Sequence, residues 1–414
     1  MKRRREYHSV NRAWRLSGLL LVAALVPLLA GCEPMSPTPA ASTDSATTAT
    51  APQSLDPGQE AGEAVPSPSA TDQPATAEAP QPAAVPKRPG TPDHIFVVNL
   101  ENKGFDTTWG ATSPARYLSG ALREQGVLLE NYYGIAHNSL PNYLAQISGQ
   151  PPNAVTKRDC HTYTPFNGSG TDERGRMQGE GCVYPAEVPT IAGQLSAAGK
   201  TWKGYMEDMT SPCQHPQLGA VDSHMKATSA TDQYATRHNP FVYFQSITSS
   251  PDCAKNVVSL AALPQDLASV STTPNLSYIT PNLCHDGHDH PCVDGSEGGL
   301  ASSDQWLAQQ VPPILDSPAF KQDGMLIITF DETDGGTVGP SEGTTGSPLG
   351  GTAGGRTGAL VISPFSAPGG TSLQPYNHYS LLASIEDFLG LPRLGTASEP
   401  GVTPFGADVY QRNS

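Results

Sequence analysis

Two short, nearly continuous apolar runs end abruptly in acid. The first, His94-Ile-Phe-Val-Val-Asn-Leu100, leads directly into Glu101-Asn102. The second, Gly324-Met-Leu-Ile-Ile-Thr-Phe330, leads directly into Asp331-Glu332. Apolar runs of this length without polar alternation predict parallel strands buried on both faces. Further strands are predicted over residues 126–133, 201–205, 275–279 and 357–363. Helical patterns cover residues 114–125, 141–148, 190–198, 304–315 and 379–390. Strands alternating with helices predict an α/β fold, a mostly parallel central sheet with helices on both faces.

In such sheets ligands bind beyond the carboxyl ends of the strands. Glu101-Asn102 and Asp331-Glu332 both fall there, and two acidic pairs on one edge repel unless a cation sits between them. Carboxylate and amide oxygens suit a divalent cation, of hard or borderline character. One pair alone reads as a cap; two at equivalent strand ends point to metal. A third cluster, Asn282-Leu-Cys-His-Asp-Gly-His-Asp-His290, is dense in ligand-type side chains and includes Asp286 and His288. His378 opens the last predicted helix.

Ser139 sits between the strand over 126–133 and the helix over 141–148, with Pro141 suited to a helical first turn. A hydroxyl there points with the free N–H groups and positive dipole end of the helix, which favour phosphate. The simpler role for Ser139 is a helix cap. His137, two residues earlier, either orients the phosphate or packs. A rival nucleophile, Ser341 in Gly339-Pro-Ser-Glu-Gly343, matches Gly-x-Ser-x-Gly. That motif needs a strand before it and a helix after it, and here lies in glycine-rich sequence.

The ends change the picture of where the chain works. Lys2, Arg3, Arg4, Arg5, Arg12 and Arg15 precede an apolar run, Leu19 to Ala30, too short for a comfortable span. It closes as Leu29-Ala30-Gly31-Cys32, so residues 1–32 read as a lipoprotein signal with Cys32 lipidated. Residues 33–90 form a Pro-, Ala-, Ser- and Thr-rich tether too poor in large apolar residues to fold. Residues 91–414 form the catalytic domain. The expected location is outside the cell, anchored to the outer face of a bacterial membrane by the N-terminal lipid, or secreted.

Setting aside the leader's six bases and Glu6, and the tether's seven acids, leaves 18 Lys and Arg against 31 Asp and Glu. An acidic domain with no basic stripe argues against nucleic acid as a partner. Six cysteines follow Cys32, an even number that suggests disulfides in an exported chain. Of fifteen possible pairings, the sequential one is preferred: Cys160–Cys182, Cys213–Cys253 and Cys284–Cys292. Each closes a loop rich in Gly, Pro or polar residues.

His94 to Asn102 resembles the opening motif of the bacterial phospholipase C and acid phosphatase family. His137-Asn-Ser-Leu-Pro-Asn-Tyr143 is similar to the His-Pro-Ser-x-Pro-Asn-Tyr motif of its acid phosphatase branch, with Asn138 in place of the proline. Trp202 to Met209, His238-Asn-Pro-Phe241, Tyr278 to Asp289, Asp331-Glu332 and Asn377 to Leu382 resemble the same branch. Ser139-Leu-Pro-Asn142 is also similar to the nucleophile motif of nucleotide pyrophosphatases, which implies an alkaline-phosphatase-like three-layer sandwich. The resemblance implies a metal-dependent acid phosphatase acting on phosphate monoesters of small molecules or lipid head groups. The alternative is a phospholipase C-type diesterase or a phosphoinositide phosphatase. It implies Ser139 as a nucleophile that becomes phosphorylated, with His137 and Asn142 beside it. Glu101, Asn102, Asp331 and Glu332 hold a metal, and Asp286, His288 and His378 serve a second metal or the leaving-group acid. Glu332 stands where nucleotide pyrophosphatases carry histidine, which leaves the metal's identity and number open.

Overall fold

The computed structural model describes residues 90–334 and 354–411. The predicted leader, the tether with Cys32, Ser341 and most of the glycine-rich stretch 335–355 lie outside the described residues.

The sheet contains β1 (His94–Leu100), β2 (Val127–Leu129), β3 (Trp202–Met206), β4 (Val257–Ser259), β5 (Leu276–Thr280), β6 (Gly324–Phe330), β7 (Ala359–Ile362) and β8 (Gly370–Ser372). Their spatial order is β8-β2-β7-β6-β1-β5-β3-β4. All neighbouring pairs are parallel except the two made by β7, which runs against both β6 and β2. The reading of a mostly parallel α/β sheet therefore holds, with the strand predicted over 357–363 as its antiparallel member.

Successive side chains of a strand point to opposite faces, and β1 feeds two separate cores. Ile95 and Val97 join one; Phe96, Val98 and Leu100 join the other. Helices α1 (Ser139–Ser148), α2 (Ile191–Ala197) and α5 (His378–Leu389) pack on the first face. Helices α3 (Gly299–Asp316) and α4 (Pro318–Asp323) cover the second. All ten residues of α1 are buried, so the helix that presents Ser139 is a core element. Gly149 stops it in the left-handed region at φ 66°, where a Cβ would lie 2.4 Å from the Leu394 carbonyl oxygen.

Three predicted elements differ. Residues 114–125 do not form a regular α-helix but a π-helical segment, Tyr117–Leu122, followed by a 3-10 turn, Arg123–Gln125. The Asp304 carboxylate accepts from the Tyr117 and Leu118 amides at 3.0 and 2.7 Å, which fixes where that segment begins. The strand over 126–133 breaks after Leu129, and Tyr132–Tyr133 pairs instead with Tyr376–Asn377 in a separate ribbon. The helix over 304–315 begins earlier, at Gly299, through residues too small and polar to show apolar periodicity.

The three disulfides pair in sequential order: Cys160–Cys182, Cys213–Cys253 and Cys284–Cys292.

Candidate active site

The register of β1 and β6 pairs Leu100 with Phe330. Glu101 and Asp331 therefore leave the sheet side by side, both fully buried. Asn102 follows at φ 41° and its backbone N–H donates to Oδ1 of Asp331 at 3.2 Å. The Asn102 amide oxygen faces Glu101 Oε2 at 2.6 Å and Asp331 Oδ1 at 3.2 Å. Turned over, that amide would donate to both carboxylates; unturned, three oxygens converge as a cation requires.

Ser139 is the first residue of α1, and the cap position belongs to Asn138, held at φ 76° with no capping hydrogen bond from its side chain. Ser139 Oγ donates to Glu101 Oε2 at 2.8 Å. The other Glu101 oxygen accepts from the Tyr143 hydroxyl at 2.6 Å, one helical turn along α1. The helix end is less open to an anion than the sequence suggests. Pro141 has no N–H, and the Leu140 N–H is already donated to Asp159 Oδ1 at 3.0 Å. Asp159 also accepts from the Asn138 amide at 3.2 Å.

His238 lies between the first strand end and the 282–288 loop. Its ring stacks on Tyr143 at 5.3 Å and 4°. Nε2 is 3.3 Å from Glu101 Oε1 and Nδ1 is 3.1 Å from Asp286 Oδ2. Neither nitrogen has hydrogen-bonding geometry to those oxygens, and Asp286 Oδ2 and Asp331 Oδ2 are likewise buried without a donor. Such orphaned buried lone pairs are costly. Oxygen donors with one imidazole suit a divalent cation. They are not drawn into a closed triad. Among the described residues, three His, Cys, Asp or Glu donors within 4.8 Å of one another occur only at Cys284, Cys292 and Asp294, whose cysteines are bonded to each other.

The electrostatics mark the same cluster. Burial pushes the Glu101 carboxyl well above its usual range, and the charges of Asp331 and Asp286 push it further. Burial, then Glu332, raises Asp331. Asp286 is pushed up to about 7 by burial, against the pull of His288 and Arg237. Buried carboxylates raising one another are the mark of a charge cluster awaiting a partner.

Glu332 adjoins this cluster, its charge bearing on Asp331, and turns one oxygen to the open side. It pairs with His137, Nδ1 to Oε2 at 2.5 Å, and this bond raises the His137 pKa. The half-exposed His137 ring stands two residues from Ser139 at the open side. His288 lies at the rim: its backbone N–H donates to Asp286 at 2.7 Å and its Nδ1 pairs with Asp289 at 2.8 Å.

Two sequence candidates have other duties. His378 is fully buried beneath Asp331. Its Nε2 is 2.6 Å from the Asp331 carbonyl oxygen, which can only accept, so this nitrogen carries the proton. Nδ1 then accepts from the Tyr132 hydroxyl at 3.0 Å and the Gln146 amide at 3.1 Å. With both nitrogens engaged and burial lowering its pKa to about 4, His378 positions Asp331 and does not deliver protons to a substrate. Asn142 accepts from the Ile135 and Ala136 amides and donates to the Ala136 and Asn138 carbonyls. Every hydrogen-bonding position of its amide is taken, so it reaches substrate only through the loop it shapes.

Tyr143, Asp159, Arg237 and His238 went without roles in the sequence reading. Tyr143 and His238 lie in motifs that carry the family resemblance, which was signal enough to consider them. Asp159 and Arg237 sit in irregular chain with no local pattern.

A model of the phosphoesterase family matches residues 117–392, and the chain belongs to that family. An acid phosphatase of Aspergillus fumigatus is 27% identical over 303 residues, covering 73% of this chain and 56% of that protein. A phosphatidylinositol-3-phosphatase of Mycobacterium tuberculosis is 24% identical over 316 residues, covering 76% of this chain and 83% of that one. The chain spans little more than half the length of the fungal acid phosphatases it matches. A solved structure of an alkaline phosphatase superfamily protein from Vibrio parahaemolyticus aligns with a TM-score of 0.43 at 13% identity, over 77% of this chain and 72% of that one.

Proposed function

We propose that the protein is a metal-dependent acid phosphatase that hydrolyses phosphate monoesters through a phosphoserine at Ser139. The observation that carries this is the 2.8 Å hydrogen bond from Ser139 Oγ to Glu101 Oε2, at the sheet edge where Glu101 and Asp331 emerge side by side and buried. Glu101, Asn102 and Asp331 would hold the cation, with Asp286 and His238 as neighbouring donors. A bound cation would polarise the phosphoryl oxygens and favour the ionised hydroxyl.

The chain's own residues do the rest. Glu101 accepts the Ser139 hydroxyl proton and aims Oγ at phosphorus. His137, whose pKa the Glu332 bond raises, offers an N–H to the phosphoryl group from the open side. As the Oγ–P bond forms, the P–O bond to the ester oxygen breaks and that oxygen departs with a proton, a role that falls to His288 at the rim beside Asp286. Water then attacks phosphorus, giving a proton back to His288; the P–Oγ bond breaks, phosphate leaves, and Glu101 returns its proton to Oγ.

Acid quench during turnover, followed by peptide mapping, tests this. Phosphate should be found on the peptide carrying Ser139, and Ser139→Ala should lose activity by orders of magnitude while folding normally. An active Ser139→Ala protein would end the covalent reading. A phosphodiesterase or phosphoinositide phosphatase is the second reading. It is favoured by similarity to the mycobacterial phosphatidylinositol-3-phosphatase and to a hemolytic phospholipase C of Pseudomonas aeruginosa. A panel of monoesters, diesters and phosphoinositides separates the two.

The chain is proposed to work outside the cell, tethered by lipid on Cys32. Three disulfides in 91–414 support an oxidising compartment. Membrane fractionation of a Cys32→Ala variant tests the anchor.

A further inference from the structure

A cavity of about 670 Å³ opens beside the carboxylate cluster. It is bounded on the serine side by Asp159 and on the other by Arg237 and His288. Asp159 is the residue that holds Asn138 and Leu140 on either side of Ser139. Arg237 Nη2 is 3.2 Å from His288 Nε2, and that histidine's backbone rests on Asp286. An ester group extending from Ser139 Oγ past Asp159 toward His288 would enter this cavity. The volume falls in the range that takes a drug-sized ligand, far more than one phosphate needs.

The lining is polarised by charge. Arg237 is buried at the back, its Nη1 donating to the Met225 carbonyl at 2.8 Å. Lys226 stands exposed at the rim with no ion-pair partner among the described residues. His161, His288 and His290 add ring nitrogens around them. The two acids of the lining are already engaged, Asp159 by the Ser139 turn and Asp289 by His288. In a chain with a formal charge of −15, a cavity wall that sets a buried arginine beside an exposed lysine with no carboxylate of its own among the described residues makes a local field that favours an anionic group.

We propose that this cavity receives the leaving group of the substrate, and that the preferred leaving group carries a second phosphate bound by Lys226 and Arg237. This rests on the monoesterase reading above. The test compares glucose 6-phosphate with glucose 1,6-bisphosphate, using the whole metal-loaded protein and its Lys226→Glu variant. The bisphosphate should show at least a tenfold higher kcat/KM, carried by KM. Lys226→Glu should lower the ratio of the two kcat/KM values about tenfold. Equal values for the two esters, or a ratio that Lys226→Glu leaves in place, overturns the proposal. Calorimetric binding of the same two esters to Ser139→Ala protein supplies an arm that needs no turnover. If the wild type hydrolyses neither ester, the monoesterase reading fails by itself. The cavity is then upheld by tighter binding of the bisphosphate that Lys226→Glu abolishes, and overturned by equal binding.

Discussion

Ser139 Oγ and Glu101 Oε2 are 2.8 Å apart, although one begins a helix and the other ends a strand. The carboxylate is fully buried, and its pKa is raised by burial and by two other acids. It is therefore a site kept for function at a cost in stability. Glu101→Gln keeps the shape and removes the charge. Phosphate release should fall ~10²-fold or more, and bound divalent cation should be lost. In EDTA, the variant should melt at a higher temperature than the wild type, because one repelling charge is gone. Thermal scans with and without metal check this, and a metal-free variant less stable than the wild type would show that Glu101 is a structural anchor.

His378 tests the difference between holding and reacting. Its folded pKa, lowered to about 4 by burial, lies below the ordinary histidine value. The unfolded chain takes up a proton as pH falls past 6.5, whereas the folded chain refuses it until about pH 4. The stability is thus whole above pH 6.5 and lost through that window, about 3 kcal/mol in all. His378→Asn should flatten the fall in Tm between pH 6.5 and 4. It should also lower kcat about tenfold by releasing the Asp331 backbone, with the shape of the pH–rate profile unchanged. Loss of one limb of that profile would make His378 a proton donor after all.

The frame of the site was legible because β1 and β6 are buried on both faces. That condition writes itself as unbroken apolar sequence, and each run stops where the chain emerges at Glu101 or Asp331. The disulfides were legible because each closes a local loop rich in Gly, Pro or polar residues. What joins the site across the chain was not. His238 reaches Glu101 and Asp286 from a 3-10 turn with no periodicity. Asp159 reaches Leu140 from a left-handed residue in a loop. His378 and Asn142 were read as chemistry because a ligand-type side chain stood in a motif. His378 meets the Asp331 carbonyl, Tyr132 and Gln146, and Asn142 meets backbone groups, partners that residue type does not announce.

Glu386 offers a stability test away from the chemistry. It is fully buried in α5, with one oxygen accepting from the Leu394 N–H at 2.9 Å and the other without a donor. Burial raises its pKa well above 4.5. Its contribution is whole below the unfolded pKa and is lost as pH rises toward the folded one. Glu386→Gln should therefore raise Tm at pH 8 and leave it unchanged at pH 4, with kcat/KM on a simple monoester unaltered. Equal melting of variant and wild type at both pH values would show that burial does not hold this carboxyl above its unfolded pKa.

Gly287 joins Asp286 to His288, and its backbone sits where no side chain fits. It holds φ at 107°, a region strained for any residue with a Cβ. A Cβ there would lie 2.9 Å from Ser303 Oγ and 3.0 Å from the Glu101 carbonyl oxygen. The same residue's carbonyl accepts from Lys103 Nζ at 2.8 Å, which ties the loop to the turn after β1. The Glu101 backbone N–H donates to the Asp286 carbonyl at 2.8 Å, so loop and strand end move together. Gly287→Ala must push the loop away from β1, and Asp286 and His288 go with it. The cost in stability should be about 1–3 kcal/mol, from strain at one residue. The loss of kcat/KM should be larger than that, because small displacements at a reacting centre cost about 10²-fold. Adding Ser303→Ala removes one of the two contacts but not the strain in φ. The double variant should recover part of the Tm and little of the rate. Full recovery of both would mean that only the Ser303 contact mattered and that the loop is not held against the strand end.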